Sequence, residues 1–312
     1  MIKTQNLTKR FDGETALAGV DCLIPQGCIY GLVGSNGAGK STFLRLLSGI
    51  YRPDEGTVTI DSLPVYDNPA VKGRMAFVPD DLYFLPGADL RRMMKLYEAA
   101  YPAFDKAYCS RLIETLRLNP CKAIHTFSKG MRRQASLLLA LSCRPDYLFF
   151  DETFDGLDPV VRRLVKSLIC QEVSERQVTA IIASHSLREL EDTCDQLALL
   201  HEGGIVLESD VSDLKTSLFK VQIALPEPYD RTVFEGIELL EYNRLGSVSR
   251  LIIRGGRDET VQRLQALSPL VLDVLPLTLE EVFTHEMSAL GYCFDTSLLG
   301  GGTTEAAEVS GL

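Results

Sequence analysis

Across residues 1 to about 217, short apolar runs alternate with segments whose apolar positions recur at helical spacing, which predicts an α/β layer fold around a parallel sheet. Cys28-Ile-Tyr-Gly-Leu-Val33 reads as a strand buried on both faces. A glycine-rich loop follows, then a helix from Lys40 to Gly49 with Leu44, Leu46 and Leu47 on one side and glycine at its end. Tyr147-Leu-Phe-Phe150 and Val178-Thr-Ala-Ile-Ile-Ala183 read as further core strands, separated by a helix from Pro159 to about Val173. Between residues 87 and 142 the period changes. Leu90, Met93, Met94 and Tyr97, then Leu112, Ile113, Leu116 and Leu118, predict a helical insertion without strands. Gln196 to His201, the turn Glu202-Gly203-Gly204 and Ile205 to Leu207 predict a closing hairpin.

A second pattern begins after Leu218. Strands at Lys220 to Leu225, Val248 to Ile253 and Val271 to Leu275, with helices at Glu259 to Leu267 and Leu279 to Met287, predict a small α+β domain over residues 218–290. Residues 291–312, with Gly300-Gly-Gly-Thr-Thr, read as a flexible tail. The chain of 312 residues is 46% hydrophobic and 24% charged, the composition of a globular protein rather than a disordered one. Its net charge of −10 opposes sequence-independent binding to a phosphate backbone, and no nucleic-acid partner is expected. The longest nearly uncharged apolar run, Ser136 to Cys143, falls far short of the ~18–20 residues that span a bilayer. The first residues lack the apolar region of a secretory signal, so a cytoplasmic location is expected. Eight scattered cysteines without CxxC spacing are expected as reduced, structural thiols.

The loop Gly34-Ser35-Asn36-Gly37-Ala38-Gly39-Lys40-Ser41, followed by Thr42, fits GxxxxGK[ST] between a strand and a helix. Glycines let successive N–H groups surround phosphate oxygens, and the following helix adds its positive end. Lys40 then supplies a cation to the β- and γ-phosphates, and Ser41 a hydroxyl for Mg²⁺. The strand Tyr147 to Phe150 ends in Asp151 and Glu152, two carboxylates where parallel strands open onto a ligand crevice. Asp151 is placed to reach Mg²⁺ through water, and Glu152 to polarise a water beyond the γ-phosphate.

With Phe127-Ser128-Lys129-Gly130-Met131 ahead of that strand, the ordered motifs over residues 1–217 resemble the nucleotide-binding subunit of ATP-binding cassette (ABC) transporters. The resemblance implies a P-loop NTPase core of the ABC ATPase kind, in which Ser128 and Gly130 of one subunit close over the γ-phosphate held by another. Lys129 and Met131 depart from the family's Ser-Gly-Gly-Gln. His185 resembles the family's switch histidine. Asp155-Gly-Leu-Asp158-Pro159 resembles the loop that crosses the dimer interface, and Phe11 lies where the family places a ring against adenine. Asp80 stands where the family usually has a glutamine that contacts the metal and senses the membrane partner, so it is expected either to face the metal or to turn toward the membrane subunit. Its acidity, together with Leu277 to Phe283, is similar to the subgroup serving ABC-2-type exporters.

The function implied is ATP hydrolysis driving a separate integral membrane permease, by closure of a head-to-tail dimer with a second ATP-binding subunit at the cytoplasmic face of the membrane. Glu152 and His185 would be catalytic. Phe11, Gly34 to Thr42, Ser128, Gly130 and Asp158 would bind ATP, and Ser41, Asp151 and Asp80 would hold Mg²⁺. The alternative is a soluble ATPase of the same kind acting on ribosomes or DNA, against which stand the single cassette and the absence of a heptad run.

Overall fold

The structure, a computed structural model, describes residues 1–226 and 228–289, without the side chains of Lys215, Ser217 and Ala289. The tail assigned to residues 291–312, and Cys293 with it, lie outside the described residues. The chain divides into two compact units, Met1–Leu214 and the described residues from Lys215 onward.

The first unit opens with β1 (Ile2–Phe11) and β2 (Glu14–Ile24), then β3 (Ile29–Val33), α1 (Lys40–Leu47), β4 (Glu55–Ile60), the short β5 (Leu63–Pro64), α2 (Pro69–Lys72) and β6 (Met75–Val78). Three helices follow: α3 (Leu90–Ala100), α4 (Lys106–Thr115) and α5 (Lys129–Ser142). The chain then returns through β7 (Tyr147–Asp151), α6 (Pro159–Arg176), β8 (Thr179–Ser184) and α7 (Leu187–Leu190), and reaches the hairpin β9 (Gln196–His201) and β10 (Gly204–Asp210); α8 (Val211–Ser217) follows and contains the point where the first unit ends.

The central sheet has the order β10-β9-β3-β8-β7-β6 and is parallel except for its edge strand β10. Every residue of β3, β7 and β8 is buried, which explains why their sequences are unbroken apolar runs rather than alternating ones. Pairing of Val33 with Ser184 and of Asp151 with Ala183 brings the carboxyl ends of all three strands together on one edge. That register determines where the site forms, because ligands of open α/β sheets bind outside the carboxyl ends.

A second, antiparallel sheet, β2-β1-β4-β5, was not anticipated. Its inward residues Ile2, Leu7, Leu17, Val20 and Ile24 share one core with Phe43, Leu44 and Leu47 of α1. Irregular register between Thr4 and Arg10 breaks the period-two signal that would have revealed β1. The expected helical insertion is present as α3 to α5. Asp89, Asp105 and Ser128 cap its helices by accepting backbone N–H bonds. Helix α5 is buried nearly all round from Arg133 to Ser142.

The second unit is an antiparallel sheet ordered β12-β13-β11-β14, formed by β11 (Leu218–Ala224), β12 (Leu239–Leu245), β13 (Val248–Arg254) and β14 (Val271–Leu275). It also carries α9 (Arg257–Gln265) and α10 (Leu279–Ala289). Phe219, Val221, Ile223, Phe234, Leu251, Ile253 and Leu264 form its core. Strand β12 was missed because it is an edge strand whose residues are at best half-buried, so its sequence has no apolar stripe. The seven described cysteines are all free thiols.

Two glycines separate steric crowding from backbone strain. Gly13 (φ 88°) has open space where a Cβ would stand, whereas at Gly56 (φ 78°) that atom would lie 2.2 Å from the Asn6 carbonyl oxygen and 2.3 Å from that of Gln5. Gly13→Ala should therefore cost about 1 kcal/mol, and Gly56→Ala about 3 kcal/mol or more. Comparing the two thermal midpoints checks this, and equal losses would refute the close approach of β4 to β1.

Candidate functional site

The loop after β3 enters α1 through Gly39, whose φ of 104° is a left-handed conformation that side chains resist. No side chain caps this helix start, so its first N–H groups are available to an anion. A Cβ on Gly34 would lie 2.4 Å from the Leu200 carbonyl oxygen, and one on Gly39 2.6 Å from that of Ala16. Bare backbone is thus required on both sides of the loop. Ser35, Asn36 and Gly37 are exposed at its tip, Ala38 is buried beneath it, and Thr42 is half-buried in the first turn of α1.

Lys40 turns back under the loop with only 6% of its side chain exposed. Its Nζ donates to the Gly34 and Ser35 carbonyls at 2.8 and 3.1 Å and lies 3.3 Å from Glu152 Oε1. Ser41 Oγ donates to Asp151 Oδ1 at 2.9 Å. Asp151 is fully buried, and its Oδ2 has no hydrogen-bond partner. Burial raises the Asp151 carboxyl above its ordinary value, with the Ser41 hydrogen bond acting against it. A hydroxyl beside a carboxylate with one unsatisfied oxygen is a donor set that fits a hard divalent cation such as Mg²⁺.

Glu152 has φ 46°, and its N–H donates to the Ala183 carbonyl at 3.0 Å, so the chain bends sharply where β7 ends. Its Oε2 lies 2.9 Å from His185 Nδ1 and accepts from the His185 N–H at 3.3 Å. Glu152, Asp155 and His185 bring one ligand atom each within 4.8 Å of one another. The hydrogen bond from Glu152 raises the His185 imidazole above its ordinary value, against some desolvation.

The remaining expected residues sit apart from this cluster. Phe11 is 40% exposed and packs edge-on to Tyr51 at 5.4 Å, with the Lys9 ammonium 5.3 Å from its ring centre. Tyr51 had no sequence signal of its own. Ser128 accepts from the Met131 N–H at 3.2 Å and Asp158 from the N–H groups of Val160 and Val161 at 3.0 Å each, so both serve as helix caps. Gly130 is required because a Cβ there would lie 2.8 Å from the Gly156 carbonyl oxygen. Among the described residues, no hydrogen bond or ion pair joins Ser128, Gly130 or Asp158 to residues 34–42. Asp80, expected at the metal, instead accepts from an Nη of Arg133 at 2.7 Å. The physical reason is that Arg133 is 99% buried and needs a counter-charge, which Asp80 provides.

A phosphate-binding loop, a buried lysine and strand-end carboxylates along one edge of a parallel sheet define a P-loop nucleoside triphosphatase. Residues 17–155 match the family model "ABC transporter". The chain is 32% identical over 284 residues to the ABC transporter ATP-binding protein YtrB of Bacillus subtilis (strain 168), covering 91% of this chain and 97% of that protein. It is 31% identical to the daunorubicin/doxorubicin resistance ATP-binding protein DrrA of Streptomyces peucetius, covering 70% and 67%. A solved structure of an ATP-binding subunit of an ABC transporter superposes with a TM-score of 0.64 at 23% identity, covering 69% of this chain and 92% of that one. The cassette MJ0796, solved as a dimer in a post-hydrolysis state with ADP and Pi, superposes at 0.62 with 20% identity, covering 68% and 99%. The chain belongs to the ABC transporter family as an ATP-binding subunit, and it is an ATPase.

Without nucleotide, the His185 titration followed by NMR should have its midpoint above the ordinary imidazole value of about 6.5. Because the folded value is raised, the pairing contributes stability below the unfolded pKa and loses it as pH rises through the folded one. Glu152→Gln should bring the midpoint back down; an unchanged midpoint would exclude Glu152 as the cause.

Proposed function

We propose that this chain energises a separate permease subunit of an exporter from the cytoplasmic face of the membrane, hydrolysing Mg-ATP at sites shared between two ATP-binding subunits. The observation that carries this reading is the cluster at the strand ends, in which Glu152 meets Lys40 at 3.3 Å and His185 at 2.9 Å. Open N–H groups of residues 34–42 and the Lys40 ammonium bind the phosphates, and the exposed face of Phe11 takes the adenine. Ser41 and Asp151 hold Mg²⁺, which when bound neutralises charge on the transferred phosphoryl group. The phosphates take over Lys40 from Glu152, whose carboxylate then orients and polarises the attacking water. His185 contributes a hydrogen bond to the γ-phosphate and keeps Glu152 aligned.

Dimerisation is supported by Ser128, the cap at the start of α5 beside Gly130, which is suited to a γ-phosphate held by another subunit. A separate permease is supported because no helix among the described residues is long and apolar enough to cross a membrane. The segment after Asp80 carries Tyr83, 76% exposed, which suits a protein contact. Export is supported by the names of relatives associated with daunorubicin/doxorubicin and linearmycin resistance. The second unit tunes dimerisation or regulation rather than chemistry, since every nucleotide-contacting residue named above lies in the first.

Glu152→Gln should retain ATP binding, trap an ATP-bound dimer and slow hydrolysis at least about 100-fold, roughly 2.7 kcal/mol of barrier. Near-normal turnover would remove Glu152 from the reaction. Lys40→Ala should instead weaken MgATP binding at least about tenfold, because a phosphate loses its charged donor. Calorimetry showing unchanged affinity would contradict that role.

A further inference from the structure

One buried charge near the crevice has no part in the scheme above. Arg133, in the second turn of α5, is 1% exposed and joins three segments. Its Nε donates to the Asp155 carbonyl at 2.7 Å, and its Nη2 donates to Asp80 Oδ1 at 2.7 Å. Its Nη1 is buried without a partner. The Asp155 N–H in turn donates to the Glu152 carbonyl at 3.3 Å, which closes a short hydrogen-bonded path from Arg133 to the backbone of Glu152.

Packing reinforces that path. Gly130 lies against the Gly156 carbonyl, and the side-chain methylenes of Lys129 come within 3.6 Å of where a Gly156 Cβ would stand. The start of α5 and the turn after Glu152 therefore fit together as one piece. Glu152 itself is left-handed at φ 46°, a conformation that persists only when its surroundings over-determine it. Arg133 supplies part of that constraint, and its charge is balanced by Asp80, whose side chain is 55% exposed. Without Asp80 the guanidinium would be an uncompensated buried charge with one N–H already unsatisfied, and it would have to move toward water. Its bond to Asp155 would go with it.

We propose that Arg133 is a positioning residue for Glu152, acting through the Asp155 turn, and that Asp80 holds Arg133 in place. The proposal rests on the reading of Glu152 as the group that orients the attacking water. It accounts for an arginine within a helix that is otherwise buried among apolar residues.

The test is a mutant cycle in the full chain, read as kcat, KM and MgATP affinity, using Asp80→Ala, Arg133→Met, their combination, and Arg133→Met within Glu152→Gln. Each single variant should lower kcat about tenfold and leave MgATP affinity within about twofold, because no nucleotide-binding group is altered. The double variant should be no slower than the worse single one, since both break the same linkage. Arg133→Lys, keeping a charge and a donor, should recover part of the rate. In the Glu152→Gln background, single-turnover hydrolysis should show no additional loss from Arg133→Met. Asp80→Ala changes a largely exposed side chain and so tests the proposal even if Arg133→Met does not fold. Unchanged kcat in Asp80→Ala, multiplying effects in the double variant, or an added loss in the Glu152→Gln background would each overturn the proposal. Wild-type turnover in Glu152→Gln alone would instead overturn the assignment of Glu152, which the cycle reads separately.

Discussion

The ammonium of Lys40 is taken almost completely out of water at the end of the central sheet, and the site is arranged around that constraint. A buried cation costs several kcal/mol unless it is paired and hydrogen-bonded. Two carbonyls of its own loop and the Glu152 carboxylate meet the demand. The loop can offer those carbonyls only by folding back tightly, hence the bare backbone at Gly34 and Gly39. Glu152 can reach the ammonium only because β8 lies between β3 and β7 in register, which sets both strand tips on one edge. On the proposed reading, a phosphate entering the loop would replace one anionic partner of Lys40 with another, which would leave Glu152 to water without leaving the lysine bare.

What was legible in the sequence follows from how local each signal is. Strands β3, β7 and β8 are buried on both faces, so their apolar runs marked them directly, and the motif from Gly34 to Ser41 lies within one strand-loop-helix unit. Asp151 and Glu152 were readable because they stand at a strand end, where the topology fixes their neighbourhood, and His185 through its resemblance to the family's switch histidine together with its place after a strand. The antiparallel sheet was not, since the register shifts in β1 blur the alternation that would have announced it. Nor was Tyr51 beneath Phe11, because the ring contact depends on the tertiary fold rather than on spacing.

Asp80 shows the same limit more sharply. Its place in the order of motifs left it between the metal and a membrane partner, whereas the fold offers it a buried guanidinium distant in sequence, at 2.7 Å. The presence of Arg132 and Arg133 after Ser128 was visible as charge alone. That Arg133 faces inward follows from the depth of α5, which no local pattern records, because this helix is apolar nearly all round from Ala135 onward. Lys129 likewise departs from the family's glycine without disturbing the packing, since its methylenes lie along Gly156 while the neighbouring Gly130 retains the close approach.

The acids at the strand ends also constrain how the metal arrives. Asp151 is buried, and the Asp80 and Glu152 carboxylates reinforce desolvation in raising it above the ordinary carboxylate value. The Ser41 hydroxyl meets only one of its two oxygens. Ser41 and Asp151 would hold a divalent cation here, and its charge would favour the ionised carboxylate. Such a cation would also offset the repulsion that a polyphosphate would meet from Asp151 and Glu152 at this edge. An acidic crevice is compatible with an anionic substrate on the reading proposed above: the carboxylates would hold a metal, and its charge, with Lys40 and the open N–H groups of α1, would favour phosphate.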